Sequence, residues 1–296
     1  MNNLRGILLL TAAMAAFAVE DSFIKHLTLF LPRWQIFLCL GGASVVVFGL
    51  LARAQGVNVF ARRYRTKIIF WRTLSDTVAA SAFITALWLV PLSTVAAVFQ
   101  ATPLAITLGA ALFMGEQVGW RRWAAIITGF IGVLIIIRPG LAGFDPSALF
   151  VLIAVAGIAA RDLLTRLVPP NTSSMVVSFY GSSSFVLAVP LLMLSGEPFV
   201  SLTPTTGLYL AIGVFFGIIG YYMIVVAMRL GDASAIMPFR YTRLLFSIIL
   251  GYIVFSESPD ALTYAGSALI IASGLYTFLR ERKLARGHAP ASSAAV

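Results

Sequence analysis

Ten apolar runs, each about long enough to cross a bilayer, follow one another along this chain, and few architectures can accommodate them. A hydrocarbon core of roughly 30 Å takes about 20 helical residues. Runs of that order fall at approximately 5–27, 34–52, 68–89, 93–113, 121–137, 147–165, 173–194, 207–228, 233–255 and 262–279. Helix-breaking or polar residues separate them, as in Leu31-Pro32-Arg33, Pro91, Gly115-Glu116, Arg138-Pro139-Gly140, Pro169-Pro170 and Pro259. Composition agrees. Of 296 residues, 60% are hydrophobic and 11% charged, with a mean hydropathy of +0.96, so there is more apolar surface than one soluble core can hide. The expected fold is an all-α integral membrane protein of ten transmembrane helices.

Both ends of the chain need a separate reading. Arg5, an apolar run and Ala16-Phe17-Ala18 imitate a secretory signal with its cleavage site, but no soluble domain follows, so this stretch is expected to be the first span. The tail 281–296 is small and polar and is expected to be disordered. Cys39, the single cysteine, excludes a disulfide within the chain and any cysteine-based metal site.

Lysine and arginine set the orientation, because they are retained on the cytoplasmic side during insertion. With the N-terminus inside, 16 of the 21 basic residues fall on or near the inner face, and Lys25, Arg33 and Arg138 fall outside. Both termini are therefore expected in the cytoplasm. The net charge of +10 is spread along one membrane face, so no nucleic acid partner is implied. Arg240 and Arg243 belong to neither surface.

Shifting the chain by 141 residues lays Ser93–Val133 over Ser234–Gly274 without a gap. Phe113-Met114-Gly115-Glu116 then matches Val254-Phe255-Ser256-Glu257, and Ala125 matches Gly266. Two five-helix repeats are implied, 1–141 and 142–280. Five is odd, so the second repeat enters the bilayer upside down. Inverted repeats around a central cavity are a recurring plan of secondary transporters.

The run from Ala96 to Glu116, with small residues, a mid-helix Pro103 and a closing Gly-Glu, resembles the fourth helix of EamA-type transporters of the drug/metabolite transporter superfamily. Trp120–Gly140 fits the fifth helix of that family, Lys25 fits a lysine common near the end of its first, and Glu257, Gly266 and Gly274 repeat the pattern. Within the superfamily the chain looks most like bacterial broad-specificity amino-acid exporters of the YddG type. That resemblance implies export of aromatic and other neutral amino acids across the bacterial inner membrane by alternating access. Uptake or exchange of a larger metabolite such as S-adenosylmethionine or a vitamin is the alternative within transport. A structural or lipid-interacting membrane protein is the alternative outside it. One departure is plain: the second copy has Leu244 where the family proline belongs, with Arg243 beside it and Pro238 earlier.

Counting about 1.5 Å of rise per residue puts Arg240 and Arg243 near the bilayer middle, and Asp76 on the third span is their best partner by depth. Glu20 and Asp21 form a separate cluster nearer the outer side, with Lys25. The two arginines either hold helices in register through Asp76 or line the cavity and attract a substrate carboxylate, which a guanidinium matches with paired hydrogen bonds. The substrate-binding candidates are Asp76, Phe83, Gln100, Tyr222, Arg240, Tyr241 and Arg243. Pro103 leaves the carbonyl of Phe99 without its usual donor. Gly213 with Gly217, and Ala125 with Gly129, are expected at close helix contacts, with a homodimer as the lesser alternative to a monomer. His26 and His288 are the only histidines, and the sequence contains no phosphate-binding loop, zincin motif or nucleophile elbow. No catalytic residue, metal or cofactor is expected, and solute gradients would drive transport.

Overall fold

The computed structural model describes residues 3–116, 119–139, 145–169, 171–230 and 237–287. Pro170, the stretch 231–236 at the expected start of the ninth span, and 288–296 in the tail lie outside them. The described residues form helices and no strand. The first five spans are α1 (Asn3–Leu27), α2 (Arg33–Ala54), α3 (Lys67–Leu89), a broken helix made of α4 (Leu92–Phe99) and α5 (Thr102–Phe113), and α6 (Trp120–Ile137). Then come α7 (Leu149–Arg166), α8 (Ser174–Met193), α9 (Pro204–Leu230), a 3-10 turn Met237–Tyr241 leading into α10 (Thr242–Phe255), and α11 (Ala261–Gly287).

By length and composition, nine helical segments among the described residues can cross a membrane. The 23-residue α3 is not one of them, although at 1.5 Å per residue it is about 34 Å long. Its shortfall has a cause. Arg72, Thr73, Asp76, Thr77, Ser81 and Thr85 are all buried on it, and Thr77, Ser81 and Thr85 each return a hydroxyl to the carbonyl four residues back. Polar groups inside a bilayer are costly unless they face protein or water. The polar residues of α3 lie on its buried face, while Phe70, Trp71, Leu74 and Val78 are exposed on it.

Local chemistry sets where helices start and stop. Pro32 and Pro91 immediately precede α2 and α4, and the Thr66 hydroxyl caps α3 by accepting from the Ile69 amide at 3.3 Å. The fourth span breaks at Gln100–Ala101. Pro103 has no N–H to continue the ladder, and the Thr102 hydroxyl donates to the Phe99 carbonyl at 2.5 Å, which supplies the donor the proline withholds. Among the described residues the ninth span begins with the 3-10 turn that holds Pro238, where the Thr242 hydroxyl donates to the Phe239 carbonyl at 2.6 Å; whether the kink is displaced turns on residues 231–236, outside the described residues.

The ends of α5 and α10 share one geometry. Gly115 (φ 68°) and Ser256 (φ 54°) are both left-handed, and the next residue's amide reaches back, from Glu116 to Ala110 at 3.2 Å and from Glu257 to Gly251 at 3.0 Å. Each turn reverses the chain and presents a glutamate at a helix end.

Helix pairing follows an exchange rule. The principal contacts are α1 with α9, α3 with α7, α2 with α8, α6 with α11, α1 with α10, α3 with α8, α5 with α7, α4 with α10, and α2 with α9. Replacing each span by the one five further along returns the same set. Glycines permit the closest approach: a Cβ on Gly132 would lie 2.7 Å from the Gly266 carbonyl, and one on Gly266 would lie 2.5 Å from that of Gly132. Gly129 meets Leu104 and Ser273, so the small residues of the fifth span serve packing within the bundle.

Candidate functional site

Between the helices lies a cavity of about 820 Å³, lined by residues from all ten spans, the fifth contributing only Arg122 near the start of α6. Of the candidates named from sequence, Asp76, Phe83, Gln100, Arg240, Tyr241 and Arg243 line it. Tyr222 does not. It is 65% exposed on the outer surface of α9, while Tyr221, about 100° around the same helix, lines the cavity, bonds Ser178 and meets the Phe48 ring edge-on at 5.2 Å.

The pairing of charges also differs from the expectation by depth. Asp76 is not the partner of Arg240 or Arg243. Its Oδ1 accepts from Arg161 Nη1 at 3.1 Å, and Arg161 also holds Asp162 at 2.8 Å. Because α3 packs on α7, Arg161 reaches Asp76 first. Arg243 instead donates twice to Asp21 Oδ2, at 2.6 and 3.1 Å, where α10 meets α1, so Asp21 is not in a separate outer cluster. The guanidinium of Arg243 lies 5.3 Å from the Phe17 ring centre and 5.5 Å from that of Phe99. Its hydrogen bonds and both ring faces fix its position.

Arg240 differs from Arg243. It sits in the 3-10 turn, is exposed to the cavity, and makes no hydrogen bond or ion pair among the described residues. Arg72 donates Nε to Thr165 at 2.9 Å, and its guanidinium lies beside Gly181. Aromatic rings fill much of the remaining wall. Phe83 and Phe99 are 5.1 Å apart, Phe37 and Phe185 are 4.8 Å apart, and Tyr241 rests its hydroxyl against Gly274. The cavity therefore offers stacking surfaces with a free cation among them.

One end of the cavity is sealed. Glu257 accepts from the Leu92 amide at 2.7 Å, the Ser93 amide at 3.0 Å and the Ser93 hydroxyl at 2.9 Å, which places a carboxylate on the N-terminus of α4. Lys25 lies 3.6 Å from Glu257 and donates to the carbonyls of Leu87 and Val90 at 3.1 and 2.6 Å. Four chain segments meet there. The corresponding pair at the 141-residue offset is Arg166 and Glu116, onto which Lys25 and Glu257 shift. Arg166 and Glu116 also pair, at 3.1 Å, but their side chains are 50% and 42% exposed, against 15% and 11% for Lys25 and Glu257. Both line the cavity, so it opens on their side.

A bundle of membrane-length helices around a polar cavity, closed at one end and open at the other, has the form of a membrane carrier. The comparisons with known proteins agree: the EamA-like transporter family matches residues 4–138 and again 146–279, and the chain belongs to that family. It is therefore a multi-pass membrane protein of a transporter family.

The chain is 31% identical over 206 residues to the S-adenosylmethionine uptake transporter of Rickettsia felis, covering 68% of each chain. It is 26% identical over 292 residues to a riboflavin transporter of Vibrio cholerae, covering 96% of each. It is also 26% identical over 278 residues to the pseudopaline exporter CntI of Pseudomonas aeruginosa, covering 90% of this chain and 94% of that one. A crystal structure aligns over 94% of this chain and 98% of its own with a TM-score of 0.61 at 20% identity, a likeness of fold. These relatives are named for larger solutes than the amino acids implied by the sequence resemblance.

Proposed function

We propose that this protein is a secondary carrier for a drug-sized, ring-bearing metabolite with a carboxylate, S-adenosylmethionine being the first compound to test. The observation that carries the reading is the 820 Å³ cavity, walled by paired aromatic rings, with the free Arg240 guanidinium facing into it. Sites of roughly 300–1,000 Å³ enclose drug-sized ligands. A single amino acid would leave most of this volume to water, so the relatives' larger solutes replace amino-acid export as the preferred substrate class. Arg240 takes the carboxylate through paired, charge-assisted hydrogen bonds, and the rings stack on the planar group.

Transport follows from the two ends. The halves 1–141 and 142–280 enter the bacterial inner membrane in opposite senses with both termini in the cytoplasm, so the Lys25–Glu257 seal is the outer one and the Arg166–Glu116 end faces inward. The exchange rule of helix packing and the shared 141-residue offset of the two ion pairs support this arrangement. Rocking of the halves closes one end as the other opens, and the solute gradient sets the direction.

Equilibrium binding of S-adenosylmethionine to purified wild-type and Arg240→Gln proteins tests the assignment. Loss of a bidentate charged contact weakens binding by about tenfold or more. Equal affinity would remove Arg240 from the site.

A further inference from the structure

Five carboxylates line the cavity, and four of them are held by arginines: Asp21 by Arg243, Asp76 and Asp162 by Arg161, and Glu116 by Arg166. The fifth, Glu20, makes no hydrogen bond or ion pair among the described residues. Its neighbour Asp21 already occupies Arg243, so Glu20 is left without a cation of its own among the described residues.

The corresponding position in the second half shows how a structural residue would behave there. Glu20 shifts by 141 residues onto Arg161, and Asp21 onto Asp162. In that half the position holds a cation that bridges two aspartates and leaves no carboxylate over. In the first half the sign is reversed and the bridge is missing.

Space has been made for the unpaired group. A Cβ on Gly217 of α9 would lie 2.4 Å from Glu20 Oε1, so the glycine expected to serve helix packing gives its room to a carboxylate. One helical turn further along, Tyr221 presents its ring to the same cavity against Phe48. A carboxylate lining a cavity that aromatic rings also line, with Arg243 already bonded to Asp21, is a site for an organic cation.

We infer that Glu20 is a specificity-determining residue that recognises a positively charged onium centre on the substrate, such as a sulfonium, while Arg240 takes its carboxylate. The inference rests on the proposed carrier reading and sharpens its substrate class to a zwitterion or cation carrying a planar ring. Neutral ring compounds of the same size fit the walls but leave Glu20 uncompensated.

S-adenosylmethionine and S-adenosylhomocysteine separate the two ideas, because they differ by the sulfonium methyl and its charge. Wild-type protein is expected to bind the sulfonium compound about tenfold tighter, the scale of one charge-assisted contact. Glu20→Gln is expected to bring the two within twofold of each other and leave S-adenosylhomocysteine affinity unchanged. Preserved discrimination, or an equal loss for both ligands, would overturn the role of Glu20.

If neither compound binds wild-type protein, the metabolite reading fails and tetraphenylphosphonium decides the cation site by itself. Binding weakened about tenfold in Glu20→Gln sustains the site. Equal binding, or binding to neither protein, removes it.

Discussion

Replacing Glu257 by glutamine should open the sealed end. The carboxylate accepts three hydrogen bonds at the start of α4, at 2.7, 2.9 and 3.0 Å, and faces Lys25 at 3.6 Å. Glutamine keeps one acceptor oxygen but turns an NH₂ toward an amide or hydroxyl that also donates, and it removes the charge. Hydrogen bonds to charged groups are worth about 1.5–3 kcal/mol each, and the retained neutral bond returns part of that. A net loss of about 2–3 kcal/mol shifts the balance between sealed and open forms by roughly 30- to 150-fold.

Ala96 is buried just beneath the seal, so in a Cys39→Ser background an Ala96→Cys thiol reports exposure. A membrane-impermeant maleimide added from the Glu257 side should label that thiol slowly with Glu257 intact, and faster by about that factor with Glu257→Gln. A thermal melt shared by the two proteins would exclude global loosening. Equal labelling rates would show that this ion pair does not hold the cavity shut.

Two further outcomes follow from the corrected site. Arg161→Gln leaves Asp76 and Asp162 without their shared cation and should destabilise the protein by about 3–5 kcal/mol, seen as a lowered melting temperature in nanodiscs, whereas the exposed Arg166→Gln should cost less than about 1 kcal/mol. Tyr222→Ala should leave substrate affinity within twofold of wild type, while Tyr221→Ala, which removes a cavity ring, should weaken it by about tenfold.

The sequence makes longitudinal information readable and hides rotation. Run lengths and prolines locate the starts and ends of most spans to within a few residues, because bilayer thickness and the missing proline donor act along the helix axis; the last helix instead runs on to Gly287, through the start of the tail expected to be disordered. Depth also brings Arg240 and Arg243 to the cavity. It cannot say which way a residue faces, so it does not separate Tyr222 from Tyr221, although one step around α9 divides the outer surface from the cavity.

Depth also cannot say which neighbour is nearer. Arg161 reads as an inner-surface anchor near the end of its helix and Asp76 as the mate of Arg243, but α3 packs on α7 and α10 on α1. One signal was available. At the 141-residue offset, Asp21 matches Asp162, Lys25 matches Arg166 and Glu116 matches Glu257, so acidic and basic residues recur at corresponding ends of both halves. The same offset exposes Glu20, matched to Arg161, as the residue whose sign departs from its copy.

Counterflow into proteoliposomes tests the central claim most directly. Vesicles loaded with unlabelled solute and diluted into labelled S-adenosylmethionine, riboflavin or phenylalanine should accumulate S-adenosylmethionine transiently and saturably, and Arg240→Gln should blunt that accumulation. Saturable movement of phenylalanine, with none of either larger solute, would contradict the account and return the protein to amino-acid export.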